Sequence, residues 1–182
     1  WYIQRTAQSP KPLTIHGYSK GTELSLLLAS TFPDQVDHLI LYAPACYVFE
    51  GANSLSPWTF QGEDFPFIFL KGNEEMRSKL FEDRRNKKPV RGVELFQYGL
   101  EHDKNKEKAR INLKPIRAKM LIFAGEWDDA GPAAEMGREI QANYDGECEL
   151  VIFEKAGHAF SKRNMNGMWK MGGEPEANIK AK

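Results

Sequence analysis

A serine with glycines two positions away on either side, Gly17-Tyr18-Ser19-Lys20-Gly21, is the part of this sequence best suited to chemistry. A serine hydroxyl is a weak nucleophile until a base takes its proton. The pattern G-x-S-x-G gains meaning where a strand precedes it and a helix follows, because the serine then stands on a sharp turn with its hydroxyl projecting outward. Here Leu13 to Ile15 is short and β-prone, and Leu24, Leu27 and Leu28 follow at helical spacing. The flanking glycines are read as letting strand and helix approach closely. The backbone N–H of Lys20, at the helix start, points where a tetrahedral oxyanion would form.

The base should lie downstream, in the order serine, acid, histidine. His158 in Ala156-Gly157-His158-Ala159-Phe160 directly follows a strand read at Glu149 to Phe153, where a loop at the carboxyl edge of a sheet can reach Ser19. His16 and His38 sit in or beside strands and are read as core or edge residues, and His102 lies in a charged helical tail. The acid should follow the preceding strand, and Gly125-Glu126-Trp127-Asp128-Asp129 offers three carboxylates there. Spacing favours Asp128, three residues after the glycine and four before Pro132. Asp129 is read as capping the next helix or facing solvent, and Glu126 as solvated.

The elements that must position these groups alternate between strand and helix. After the serine helix, closed by Phe32-Pro33-Asp34, comes the apolar run His38 to Ala43, the pattern of a parallel strand covered on both faces. The rhythm breaks from Cys46 to about Arg110 into a stretch containing Trp58, Phe60, Phe65, Phe67 and Phe69 and then charged, helical-looking segments. This reads as a lid-like insertion, which either lines a pocket or packs on its own core. Within it Val93, Phe96 and Leu100 keep a helical stripe, and Glu101 to Arg110 is a solvated helix end. The strand pattern resumes at Met120 to Ala124, and a helix opened by Pro132 carries Met136, Ile140 and Tyr144 on one face. Such units predict an α/β fold with a mostly parallel sheet, helices on both faces, and a single domain over residues 1–182 with the insertion at about 46–110. No repeat or low-complexity segment is visible.

With 182 residues, 41% of them hydrophobic, the chain can bury one sizeable core. Lysine plus arginine balance aspartate plus glutamate at 25 each, so no net field favours nucleic acid or an anionic membrane surface, and the expected partner is a small molecule. Cys46 and Cys148 fit neither a disulfide framework nor a zinc site, and read as two buried thiols; no metal or other cofactor is expected. No apolar run reaches the roughly 18 to 20 residues needed to span a bilayer, and no signal-peptide h-region is seen, so a cytoplasmic protein is expected. No visible pattern sets an oligomeric state.

Taken with the segments around them, these residues resemble the C-terminal catalytic domain shared by acyl-CoA thioesterases and bile acid-CoA:amino acid N-acyltransferases, especially bacterial members. The resemblance rests on Gly17 to Leu24, on Trp58-Thr59-Phe60-Gln61-Gly62 leading to Phe65-Pro66-Phe67, on the acid loop, on Ala156-Gly157-His158, and on the tail Gly172-Gly173-Glu174-Pro175-Glu176-Ala177. It implies an α/β-hydrolase fold with Ser19, Asp128 and His158 as triad and an acyl-CoA thioester as substrate. A carboxylesterase or peptidase of the same fold, or a non-catalytic interaction module, are the alternatives. The amino-acid-conjugating relatives use cysteine as nucleophile, so Ser19 favours hydrolysis over transfer to an amine. Gly131 stands where a tryptophan is often found, which alters the acyl pocket. The resemblance also implies strands and a β-sandwich domain upstream, including the loop that donates a second oxyanion N–H. The chain is therefore expected to be part of a longer protein, starting within the helix before the serine strand.

Overall fold

A computed structural model of the chain describes residues 12–51, 55–70, 78, 82 and 92–160. The expected helix before the serine strand, the charged middle of the insertion and the tail from Gly172 lie outside them.

Four strands form one sheet in the order β1-β2-β5-β6: β1 (Thr14–Tyr18), β2 (His38–Tyr42), β5 (Lys119–Gly125) and β6 (Cys148–Phe153). All three pairings are parallel, with Leu39 beside Met120, Leu41 beside Ile122 and Phe123 beside Val151. Parallel strands need crossovers. Helix α1 (Lys20–Thr31) supplies the one from β1 to β2, and α4 (Ala133–Asn143) the one from β5 to β6. Between β2 and β5 lie a two-stranded antiparallel hairpin, β3 (Thr59–Phe60) with β4 (Glu63–Asp64), then α2 (Val93–His102) and the short α3 (Lys106–Ala109).

Because side chains alternate along a strand, Leu39, Leu41, Met120 and Ile122 fall on one face. They share a core with Leu26, Leu27 and Ala29 of α1 and with Met136 and Ile140 of α4. Leu39, Leu41 and Ile122 are wholly buried, each contributing about 1.5–3 kcal/mol relative to an exposed side chain. The opposite face carries a smaller cluster of Phe153, Ala156 and Phe160 against Tyr42, Phe123 and Val151.

Three sequence expectations need correcting. The buried side of α1 is not the Leu24-Leu27-Leu28 stripe: Leu24 is exposed, while Thr22, Glu23, Ser25, Leu26, Leu27 and Ala29 are buried. The tight turn before the helix sets Gly21, Thr22 and Ser25 against Gly17 of β1. A Cβ on Gly17 would lie 2.6 Å from Ser25 Oγ, whereas one on Gly21 would meet nothing within 4 Å. Close approach therefore demands only the first glycine of the pair. Second, Cys46 is buried but Cys148, at the start of the edge strand β6, is partly exposed.

The third concerns the segment after β2, whose described apolar residues join the main core instead of a core of their own. Tyr47, Val48, Phe49 and Ile68 belong to the main core, Phe96 of α2 stacks edge-on against Phe49 at 4.7 Å, and Trp58 and Phe65 pack against the same cluster. Backbone bridges pair Tyr47 with Arg110 and Phe49 with Ile68. Aromatic side chains of this size bury large areas, so the described part of the segment extends the main core.

Candidate active site

Ser19 joins β1 directly to α1 at φ 53° and ψ −121°. A non-glycine residue reaches this region only when its surroundings hold it there. The Ser19 N–H donates to Tyr42 O at 2.8 Å, and its carbonyl accepts from Thr22 N–H at 2.9 Å and from Thr22 Oγ1 at 2.6 Å. Thr22 Oγ1 in turn accepts from Ala45 N–H at 3.0 Å. The turn is thus fastened to both the end of β2 and the chain that follows it.

His158 Nε2 lies 2.9 Å from Ser19 Oγ, and His158 Nδ1 lies 2.8 Å from Asp128 Oδ2. An ionised carboxylate only accepts hydrogen bonds, so Nδ1 carries the proton and Nε2 presents a lone pair to the serine hydroxyl. The Asp128 side chain is 1% exposed, and its other oxygen accepts from Ala130 N–H at 2.9 Å and Gly131 N–H at 3.1 Å. Three donors therefore fix the carboxylate, which is the arrangement that orients an imidazole without sharing its proton.

The acid and base loops are also joined through their backbones. Glu126 N–H donates to Phe153 O at 3.0 Å, and Trp127 N–H donates to Ala156 O at 2.9 Å. Tyr18 closes the other side of His158: the rings lie 5.3 Å apart and the phenol makes a long hydrogen bond, 3.4 Å, to the His158 carbonyl. Burial, with the Asp128 charge adding to it, raises the Tyr18 pKa, so the phenol stays protonated and able to donate.

The structure thus brings Ser19, His158 and Asp128 together and leaves the other candidates apart. His16 is exposed on β1, and His102 stacks on Tyr98 with its Nδ1 3.0 Å from the Tyr98 carbonyl. Glu126 is exposed, as read from the sequence, and it also accepts from Lys155 N–H at 3.1 Å. Asp129 neither caps α4 nor faces solvent: it is 9% exposed, and α4 has Pro132 at its N-cap with no side-chain cap. Its carbonyl accepts from Val93 N–H at 2.8 Å, which draws the loop under the start of α2.

A family model described as "BAAT / Acyl-CoA thioester hydrolase C terminal" matches residues 2–181. The chain belongs to that family. Its parallel sheet, the serine turn between β1 and α1, and the carboxylate and histidine after β5 and β6 are the α/β-hydrolase arrangement. Among solved structures, it is similar to a dienelactone hydrolase from Anabaena variabilis, with 14% identity, a TM-score of 0.46, and 87% of this chain covered against 46% of that one. An α/β hydrolase from the metagenome of Mar Chica lagoon sediments gives 16% identity and a TM-score of 0.48, covering 87% and 57%. Acetyl xylan esterase 1 from Thermoanaerobacterium gives 16% and 0.46, covering 86% and 44%. The chain therefore spans about half the length of these structures. No curated protein matches it in sequence.

Within this family domain, a cleft of about 450 Å³ runs beside the acid loop, lined among others by Val93, Gln97, Trp127, Asp129 and Pro132. Among the described residues no cluster of three histidine, cysteine, aspartate or glutamate side chains is arranged to hold a metal ion. None of the described helices is long and apolar enough to cross a membrane. Glu23, which is not among the residues that the sequence marks for chemistry, is 1% exposed one helical turn beyond Ser19. The available signal was its place beside Thr22, Leu26 and Leu27 on the side of α1 that turns inward.

Proposed function

We propose that the chain is the catalytic domain of a serine hydrolase that cleaves acyl thioesters, with an acyl-CoA as the leading substrate, through an acyl-enzyme on Ser19. The observation that carries this reading is the unbroken hydrogen-bonded sequence from Ser19 Oγ to His158 Nε2 and from His158 Nδ1 to Asp128 Oδ2, at 2.9 and 2.8 Å. His158 Nε2 accepts the serine proton as Oγ attacks the acyl carbonyl carbon, and Asp128 stabilises the imidazolium that results. The first-turn N–H groups of a helix lack intrahelical partners, so Lys20 N–H is available to the oxyanion. Collapse breaks the carbon–sulfur bond, and the thiol leaves with the proton from His158. A water molecule, deprotonated by the same nitrogen, then attacks the acyl-enzyme and releases the acid.

Serine at the nucleophile position supports hydrolysis over transfer to an amine, since a serine ester with a positioned water favours release of the acid. The family to which the chain belongs supports the thioester. The test is to treat the full-length protein with a fluorophosphonate and to assay it against an acyl-CoA series beside p-nitrophenyl esters. Labelling that requires Ser19, together with thioester turnover, is the expected result. Ester cleavage without thioester cleavage would move the substrate to carboxylesters, and no labelling would remove the serine mechanism.

A further inference from the structure

Three side chains beyond the triad meet beneath the first turn of α1. The carboxylate of Glu23, 1% exposed, accepts from Trp58 Nε1–H at 2.9 Å on Oε2 and from Lys20 Nζ at 3.0 Å on Oε1. Lys20 Nζ also donates to the carbonyls of Phe49 and, at 3.4 Å, of Glu50. One acid thus joins the helix that begins at the nucleophile to the core extension that follows β2. Lys20 is also the residue whose backbone N–H is assigned to the oxyanion above.

We infer that Glu23 is a positioning residue for the proposed hydrolysis, its ionised carboxylate holding Lys20 and the Trp58 segment in one frame so that turnover follows the charge on Glu23. The inference rests on the serine-hydrolase reading and adds a control to the same site. An ammonium has donors only. Protonating the oxygen that faces it would set donor against donor and leave Lys20 held by the Phe49 and Glu50 carbonyls alone, and protonating the other would set donor against donor at the Trp58 N–H. Either way the frame loses a strut.

Charge here is finely balanced. Burial raises the Glu23 carboxyl to about 7, against the pull of Lys20, the Trp58 N–H and the Phe49 backbone. Burial also lowers the Lys20 ammonium, which Glu23 and Glu50 work to restore. These are the groups that face the pair: Lys20 on α1 itself, and Phe49, Glu50 and Trp58 on the segment packed against it.

The test uses the full chain. With tryptophan indoles labelled by ¹⁵N and the Trp58 signal assigned by its loss in Trp58→Phe, the Trp58 N–H should titrate with a midpoint near pH 7, and Glu23→Gln should abolish that titration. In parallel, the acid limb of the kcat profile for an aryl ester should show two ionisations in the wild type and one in Glu23→Gln. At pH 8 the variant should lose roughly 10-fold in kcat, less than the loss of a whole oxyanion donor, with KM nearly unchanged. A Trp58 signal that ignores pH, or variant and wild-type profiles that run parallel, would overturn the inference and leave the hydrolase reading standing. Absence of Ser19-dependent labelling would instead overturn both the hydrolase reading and any role of Glu23 in turnover.

Discussion

A Cβ on Gly125 would stand 2.6 Å from the carbonyl oxygen of Gly157 and closer still to that of Ala156. Real Cβ atoms do not tolerate such contacts with backbone, so the loop carrying Asp128 and the loop carrying His158 touch at a position where no side chain fits. Their separation, and with it the 2.8 Å contact between Asp128 and His158, is set there.

Gly125→Ala should therefore push the loops apart. Overpacking of this kind costs about 1–3 kcal/mol of stability, and displacing a positioned catalytic group by about 1 Å costs on the order of 100-fold in rate. Thermal melts and kcat on an aryl ester check the two effects together. Wild-type turnover in the variant would mean that the loops relax without disturbing the acid.

Ser19 holds its turn at φ 53°, where glycine is at ease and alanine is not. Backbone strain at such positions is worth about 1–3 kcal/mol. Both Ser19→Ala and Ser19→Gly should lose fluorophosphonate labelling, and Ser19→Gly should be the more stable of the two by about 1 kcal/mol. Urea unfolding at one pH makes the comparison, and an alanine variant as stable as the glycine one would show the turn to be unstrained.

Asp128 and Asp129 separate cleanly in the structure. In Asp128→Asn the oxygen can still accept from Ala130 and Gly131, but the amide N–H₂ then faces His158 Nδ1. That drives the ring proton to Nε2, where it confronts Ser19 and the base is lost. The loss should approach the roughly 10⁴-fold known for such a change in another triad enzyme, and combining it with Ser19→Ala should add little. Asp129→Asn should lower stability, because the residue is buried, and change kcat far less. Kinetics in which Asp129→Asn is the more damaging would transfer the acid to Asp129.

How much of this was legible in the sequence depends on whether a residue is placed by its neighbours in the chain or by distant ones. Ser19 directly follows the short strand β1, Lys20 opens the next helix, and His158 lies in the loop after β6, so chain order brings them forward as candidates. Spacing favours Asp128 over Asp129 but gives no sign that Asp129 is buried, since its loop meets Val93 of a distant element through a backbone hydrogen bond. The aromatic stretch after Cys46 reads as a lid because glycine, proline and serine interrupt it. Only in three dimensions do Tyr47, Phe49 and Ile68 extend the main core. Glu23 does not stand out in the sequence for the same reason: a charged residue on a helix normally marks a solvated face. Its partner Trp58 comes 35 positions later.

Glu23 also leaves a mark on stability whose sign is opposite to that of most carboxylates. Its pKa rises on folding from 4.5 to about 7, so between those values the folded chain holds a proton that the unfolded chain has released. The derivative of unfolding free energy with pH follows the protons bound in the unfolded state minus those bound in the folded state, and is negative here. The stabilisation is fully present below about pH 4.5 and is lost as pH rises through about 7. A difference of this size corresponds to on the order of 3–4 kcal/mol. Glu23→Gln keeps the shape and has no proton to lose, so its stability should fall less than that of the wild type between pH 5 and pH 8. Urea midpoints for both proteins at the two pH values measure the difference directly, with other titrating groups cancelling between them. Equal falls would mean that Glu23 is ionised in the folded chain throughout that range.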